Sequence, residues 1–325
     1  MIRAGIIALG WAGKTHLKYL KGCDDVEIVG LCDPDAAVLD EAVKEFGGRG
    51  FSDWKTMIDG VSPDAVWLCT PSTIRLEPLV CCADRGIPVF CEKPAELRGA
   101  VAEKIAVELE QRDARVQVGY VFRSMPIARE ARKAIADDRI HAIQSLYSCP
   151  ACLTREIAPW FFEHEKSGGP LIDQATHNID LLRFLFGEIV EVTGLAGNPV
   201  KKKEPGYTVD EVFSLSLRFD CGTLCSHVHS WVGDVWRNDI VFIGEKRVYH
   251  LDLWEGRLAV KEGKETRDFS QDQDHLYDHE NRVFIDQVKS GDWSGNPSTY
   301  GDALKSLKTT LHCDEVAKRA FQENS

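Results

Sequence analysis

Short apolar runs alternate with amphipathic stretches through residues 1–122 of this 325-residue chain. Residues 2–8, 26–32, 65–69, 89–91 and 116–119 read as buried strands, and 14–20, 36–46, 75–85 and 95–111 read as helices. Strands alternating with helices predict a parallel sheet covered on both faces. After Phe122 the pattern changes. A helix over 126–136 leads to a strand over 143–148, an irregular aromatic stretch and the turn Ser167-Gly168-Gly169-Pro170. Pro170 suits the first turn of a helix reaching Phe186, with Gly187 as its stop. Strand-like runs follow at 190–194, 212–219, 223–231, 239–243, 247–253 and 257–260, and Asp220-Cys221-Gly222, Gly244-Glu245 and Glu255-Gly256 read as hairpin turns. Helices near 275–289 and 299–321 close the chain. The predicted fold is α/β: an N-terminal Rossmann doubly wound parallel sheet over 1–122, then an α+β domain over 123–325 with a large, mostly antiparallel open sheet. The closing helix, 299–321, is a candidate to pack back on the first domain.

Ala8-Leu9-Gly10-Trp11-Ala12-Gly13 follows the first strand and opens a helix, as a dinucleotide fingerprint does, with Ala8 in place of the first glycine. Gly10 lets the backbone approach a pyrophosphate, and Gly13 allows close helix-to-strand packing. The phosphates then face unpaired N–H groups at a helix N-terminus. Asp33, at the end of the second strand, is placed to bind a ribose diol or to cap the next helix. No arginine or lysine follows closely to receive a 2′-phosphate, so NAD is expected rather than NADP. Thr70 and Pro71 end the next apolar strand, either against the cofactor or as a simple turn. Glu92-Lys93-Pro94 ends the one after. A lysine there lies at the carboxyl edge of the sheet, where ligands of open α/β sheets bind, although a solvated Glu-Lys pair has the same sequence.

The predicted helix after Pro170 carries Asp173, His177 and Asp180 at i, i+4 and i+7, one face of an α-helix. Oxidation of an alcohol needs one group to take the hydroxyl proton and another to stabilise the developing oxyanion. His177 suits the first role because its ordinary pKa is near neutrality, Lys93 suits the second, and Asp173 orients the histidine or grips an adjacent hydroxyl.

Composition narrows the partners. The formal charge of −12 and the lack of a long basic block argue against nucleic acid. No apolar run reaches the roughly 18 residues that span a membrane. The start resembles a first strand and not a leader, and eleven scattered cysteines fit reduced thiols in a cytoplasm. Cys149-Pro150-Ala151-Cys152 and Cys221-x-x-x-Cys225-x-His227-x-His229 invite a metal reading, but zinc needs four converging ligands. On a strand Cys225, His227 and His229 share a face with Trp231, so no metal is expected.

Taken together, Ala8 to Gly13, Cys32-Asp33-Pro34, Thr70-Pro71, Glu92-Lys93-Pro94, Gly168-Gly169 and Asp173-x-x-x-His177-x-x-Asp180 resemble the Gfo/Idh/MocA oxidoreductases, in that family's order and across both domains. The resemblance implies NAD(P)-linked oxidation or reduction of a sugar-like hydroxyl, with Lys93, Asp173 and His177 carrying the chemistry. It implies a homodimer or homotetramer formed through the C-terminal sheet. Where many relatives have a histidine, this chain has Arg75, which contacts substrate or cofactor or faces solvent. Arg155 and Trp160 are the expected substrate contacts in the stretch 154–162. Two other classes share the fold: an NAD-dependent glycoside hydrolase and a non-catalytic NAD-binding sensor.

Overall fold

Six strands form the first sheet: β1 (Ile2–Ile7), β2 (Val26–Cys32), β3 (Arg49–Phe51), β4 (Ala65–Leu68), β5 (Val89–Cys91) and β6 (Val116–Val118). Their order is β3-β2-β1-β4-β5-β6, and every pairing is parallel. The order reverses between β1 and β4, which opens a crevice at the carboxyl ends of those strands. The computed structural model describes residues 1–153, 158–201, 204–271 and 276–322.

Neighbouring positions on these strands bury in opposite directions, which is why the strands read as continuous apolar runs. Ile7, Val66, Leu68, Val89 and Cys91 pack with Met57, Leu79 and Ile105 in one core. Ile6, Leu31, Trp67 and Phe90 pack with Leu17, Leu20 and Phe284 in another. β3 and the helix Trp54–Val61 lie outside the elements expected from the sequence. β3 is a three-residue, largely exposed edge strand with no apolar run to announce it, and Asp53 caps the helix by accepting from the Thr56 N–H at 2.8 Å.

The second sheet contains β7 (Ile140–Ser148), β8 (Ile189–Gly197), β9 (Val212–Phe219), β10 (Leu224–Ser230), β11 (Arg237–Gly244), β12 (Val248–Asp252), β13 (Arg257–Glu262) and β14 (Glu265–Ser270). Its order is β14-β13-β12-β11-β7-β10-β9-β8, antiparallel except where β7 pairs with β10. β14 was not among the expected strands. It is an exposed, charged edge, the composition that discourages further pairing. No helix among the described residues is long and apolar enough to cross a membrane.

The chain divides into two compact units, Met1–Ser124 with His275–Leu304, and Met125–Asp274 with Lys305–Ser325. A single cut near residue 122 therefore does not describe the path, because the chain returns to the first unit after the second sheet. The physical reason lies in the helix Leu276–Ser290. Its Phe284 ring meets Trp67 at 5.0 Å and Phe90 at 5.7 Å between centroids, fully buried on one face of the parallel sheet. Truncating a buried phenylalanine costs about 3–5 kcal/mol. Phe284→Ala should therefore lower the urea midpoint of the first unit strongly, and an unchanged midpoint would show that this helix is not part of that core.

Candidate active site

The glycine-rich loop sits at the end of β1. Ala8 has φ 72°, the left-handed conformation that the first fingerprint glycine would adopt without penalty. Its N–H donates to the Cys32 carbonyl at 2.8 Å, which ties the loop to the end of β2. A Cβ on Gly13 would lie 2.1 Å from the Ala8 carbonyl oxygen, so only glycine fits there. A Cβ on Gly10 would meet nothing within 4 Å, so the backbone is open on that side. The helix Trp11–Lys21 starts immediately, its first bond running from the Lys14 N–H to the Gly10 carbonyl at 2.9 Å. The N–H groups of Trp11, Ala12 and Gly13 precede that bond and point off the helix end, as an anion requires. Trp11 itself is exposed, edge-on to Tyr277 at 5.6 Å.

Asp33 does not cap the next helix. That role belongs to Asp35, whose Oδ1 accepts from the Ala37 and Val38 N–H groups. Asp33 instead accepts from Leu9 N–H on Oδ2 at 2.8 Å and from Asp35 N–H on Oδ1 at 2.9 Å. The carboxylate is thus fastened to the glycine-rich loop.

The ends of β4 and β5 are joined by Arg75. The sequence left two alternatives for this residue, a ligand contact or a solvated side chain, and its surroundings match neither. At 3% exposure its guanidinium points inward. Nε and Nη2 donate to the Thr70 carbonyl at 3.1 and 2.7 Å, and Nη1 donates to the carbonyls of Glu92 and Pro94. One cation therefore holds the backbone on both sides of Lys93, whose peptide bond to Pro94 is cis. Thr70 is buried, and its Oγ1 has no hydrogen-bond partner among the described residues. An orphaned hydroxyl beside Pro71, an open Gly10 and a fastened Asp33 all fit a dinucleotide along this edge of the sheet.

Glu92 is held as firmly. Its Oε1 lies 2.8 Å from Nε2 of His16, and its Oε2 accepts from the Lys93 N–H at 3.0 Å. Burial pushes the Glu92 carboxyl up, but the His16 hydrogen bond and charge, with Lys93 and Arg75, outweigh it and hold the group below its ordinary value. Sequence reasoning did not single out His16. The available signal was its place one turn before Leu20 on the buried face of the first helix.

In the second unit, Pro170 precedes a π-helical turn, Leu171–Ala175, and an α-helix, Thr176–Phe186. The expected continuous α-helix is therefore interrupted at Asp173, a distortion frequent at functional sites. A wider turn keeps Asp173 and His177, four residues apart, close to one face. Gly168 has φ 79°, and a Cβ there would lie 2.6 Å from the Cβ of Ile172, so the entry to the π turn requires glycine. His177 is buried and Asp173 half-buried. Asp180 serves the packing of its own helix, since its Oδ1 accepts from the Ser306 hydroxyl at 2.5 Å, while Arg183 pairs with Glu188 at 2.8 Å. Trp160 is half exposed, edge-on to Phe161, which stacks on Trp231 at 4.8 Å. Arg155 lies outside the described residues.

Apart from the exposed Cys221, the cysteine and histidine constellations in this unit are packed interior. Cys149 Sγ donates to Gln174 Oε1 at 3.0 Å and Cys152 Sγ to the Trp231 carbonyl at 2.9 Å, and burial pushes both thiols up to about 11. Cys225, His227 and His229 share the buried face of β10, where burial holds His227 down to about 4 and His229 well below its ordinary value.

The first unit thus has the strand order, loop and acidic residue of an NAD-binding Rossmann domain, the class that this fold defines. Residues 2–120 match the oxidoreductase family with an NAD-binding Rossmann fold, and 128–250 match the GFO/IDH/MocA C-terminal domain. The chain belongs to the Gfo/Idh/MocA oxidoreductase family. It is 26% identical to myo-inositol 2-dehydrogenase of Thermotoga maritima, over 99% of this chain and 97% of that one. It is 30% identical to inositol 2-dehydrogenase of Rhizobium meliloti, over 62% of this chain and 60% of that one. The fold matches the crystal structure of myo-inositol 2-dehydrogenase from Lactobacillus plantarum with a TM-score of 0.84, at 24% identity and 98% coverage of both chains.

Relief of the left-handed alanine is worth about 1–2 kcal/mol, and the extra backbone freedom of glycine in the unfolded chain removes about 0.4–1. Ala8→Gly should therefore stabilise the protein by about 0.5–1 kcal/mol in urea denaturation; destabilisation would contradict the left-handed assignment.

Proposed function

We propose that this chain is an NAD-dependent dehydrogenase of a cyclic polyol, sugar or sugar derivative, with Lys93, His177 and Asp173 as its catalytic residues. The observation that carries the reading is the fastening of Lys93. Its flanking carbonyls are bonded to Arg75 and its N–H to Glu92, at the same edge of the sheet as Gly10, Asp33 and the Thr70 hydroxyl, which is unpartnered among the described residues. Ala8, Gly10, Trp11, Ala12, Gly13, Asp33, Thr70, Pro71, Glu92 and Lys93 line the cofactor. NAD, when bound, supplies the acceptor for the hydride that leaves the carbinol carbon. His177 takes the hydroxyl proton while the Lys93 ammonium stabilises charge developing on the oxygen. Asp173 orients the imidazole or holds a neighbouring hydroxyl, and Arg155 and Trp160 complete the substrate contacts. The inositol dehydrogenases among the relatives support a ring polyol.

The working protein is an assembly of copies joined through the second sheet. Leu224, Ala142, Ile243 and Val248 lie side by side across β10, β7, β11 and β12 on its outer face, and three of the four are exposed large aliphatics. Such a row is the surface a second copy covers. The cytoplasm suits eleven cysteines that are all unpaired.

Lys93→Ala should lower kcat on a responsive polyol by orders of magnitude and leave NAD affinity nearly unchanged, the pattern for an interaction made in the transition state. Near-normal turnover would remove Lys93 from the mechanism. Ile243→Lys should convert the assembly to single copies by light scattering, whereas a wild-type mass of one chain would sink the interface.

A further inference from the structure

Behind Lys93 lies a buried group of three titratable side chains, His16, Glu92 and Glu280, whose polar atoms fall within 4.8 Å of one another. Hydrogen-bond directions determine where the protons are. The Nδ2 of Asn281 donates to the Tyr277 carbonyl at 2.8 Å, so its Oδ1 is turned toward Trp67 and His16. The indole of Trp67 only donates, and it reaches that oxygen at 2.8 Å. Nδ1 of His16, at 3.0 Å from the same oxygen, must therefore donate as well. Nε2 then faces a carboxylate oxygen at 2.8 Å, and a proton has to lie on that line. A shared metal ion does not suit this contact, since ligands on tetrahedral zinc lie roughly 3.3 Å apart.

Glu280 is the third member. It is 1% exposed, and neither carboxyl oxygen has a hydrogen-bond partner among the described residues. An ionised carboxylate with no donor in such a place is costly. We infer that Glu280 is a buried proton store behind Lys93: it keeps its proton in the resting protein, releases it when NAD⁺ binds, and takes it back when the alcohol is oxidised. Over the whole cycle the balance is alcohol plus NAD⁺ plus the Glu280 carboxylate giving ketone, NADH and the Glu280 carboxylic acid, with His177 taking the hydroxyl proton first and ending in the protonation state in which it began. The exchange rests on the dehydrogenase reading; the resting proton does not. Burial, with Glu92 adding to it and Lys93 opposing, pushes the Glu280 carboxyl well above its ordinary value. The groups facing it are Glu92 and Lys93 after β5, His16 on the first helix and Cys69 at the end of β4.

The test compares wild type with Glu280→Gln, an isostere of the protonated acid. Between the ordinary carboxyl pKa of 4.5 and the raised one, the folded protein holds a proton that the unfolded chain has lost, so wild-type stability falls as pH rises. The Tm of the variant should match or trail wild type near pH 4, then gain on it steadily as pH rises above the ordinary carboxyl pKa. Calorimetry of NAD⁺ binding in buffers of different ionisation enthalpy should show proton release by wild type and its loss in the variant. A Tm difference independent of pH would overturn the resting proton, and equal proton release would overturn the store. Should the variant not fold, infrared spectra of wild type decide the resting proton: a carboxylic-acid C=O band that persists well above the ordinary carboxyl pKa supports it, and loss of that band near the ordinary carboxyl pKa overturns it. A protein that binds no NAD⁺ would defeat the cofactor assignment and the proton exchange with it, while the Tm series on free protein would still decide the resting proton.

Discussion

Arg75 sets one buried positive charge against three backbone carbonyls, and the arrangement of the cofactor edge depends on that contact. A guanidinium presents its donors in a fixed planar fork. It can therefore hold the loop after β4 and the loop after β5 in one geometry, where a more flexible cation would hold only one of them. Glu92 completes the fastening from the other side by binding the Lys93 N–H and the His16 ring. Lys93 is consequently held by its own backbone.

That fastening extends far along the chain. His16 lies in the first helix, Trp67 in β4 and Asn281 in a helix near the end, yet one amide oxygen receives hydrogen bonds from both rings. The helix Leu276–Ser290 thus contributes to the cofactor edge as well as to the core of the first unit. Its return explains why that unit is assembled from two separated stretches of chain.

The second unit carries the two proposed site residues, Asp173 and His177, and two packing residues, Asn178 and Asp180, on one short motif. The π turn carries Asp173, and the α-helix after it begins just before His177. One turn later Asp180 is taken by Ser306, and Asn178 is locked with Asn238 in a reciprocal amide pair at 2.8 and 3.0 Å. Buried polar groups satisfied in this way hold a helix against a sheet in a single register.

Much of this was legible from residue order alone. Alternating apolar runs and helical stretches determined the parallel sheet, because both periodicities are local. The fingerprint and Asp33 determined the tight loop after β1, because so close a turn restricts which residues can occupy it. The helix that ends at Phe186 was legible from Pro170 before it and Gly187 after it, although the π turn carrying Asp173 was not. The edge strands β3 and β14 escaped notice because exposed edges carry no apolar pattern. Only the tertiary structure decided that Arg75 turns inward, that Asp35 and not Asp33 caps the second helix, and that His16, Glu92 and Glu280 meet. Those outcomes depend on which carbonyls and carboxylates approach from distant parts of the chain, and no local spacing encodes that.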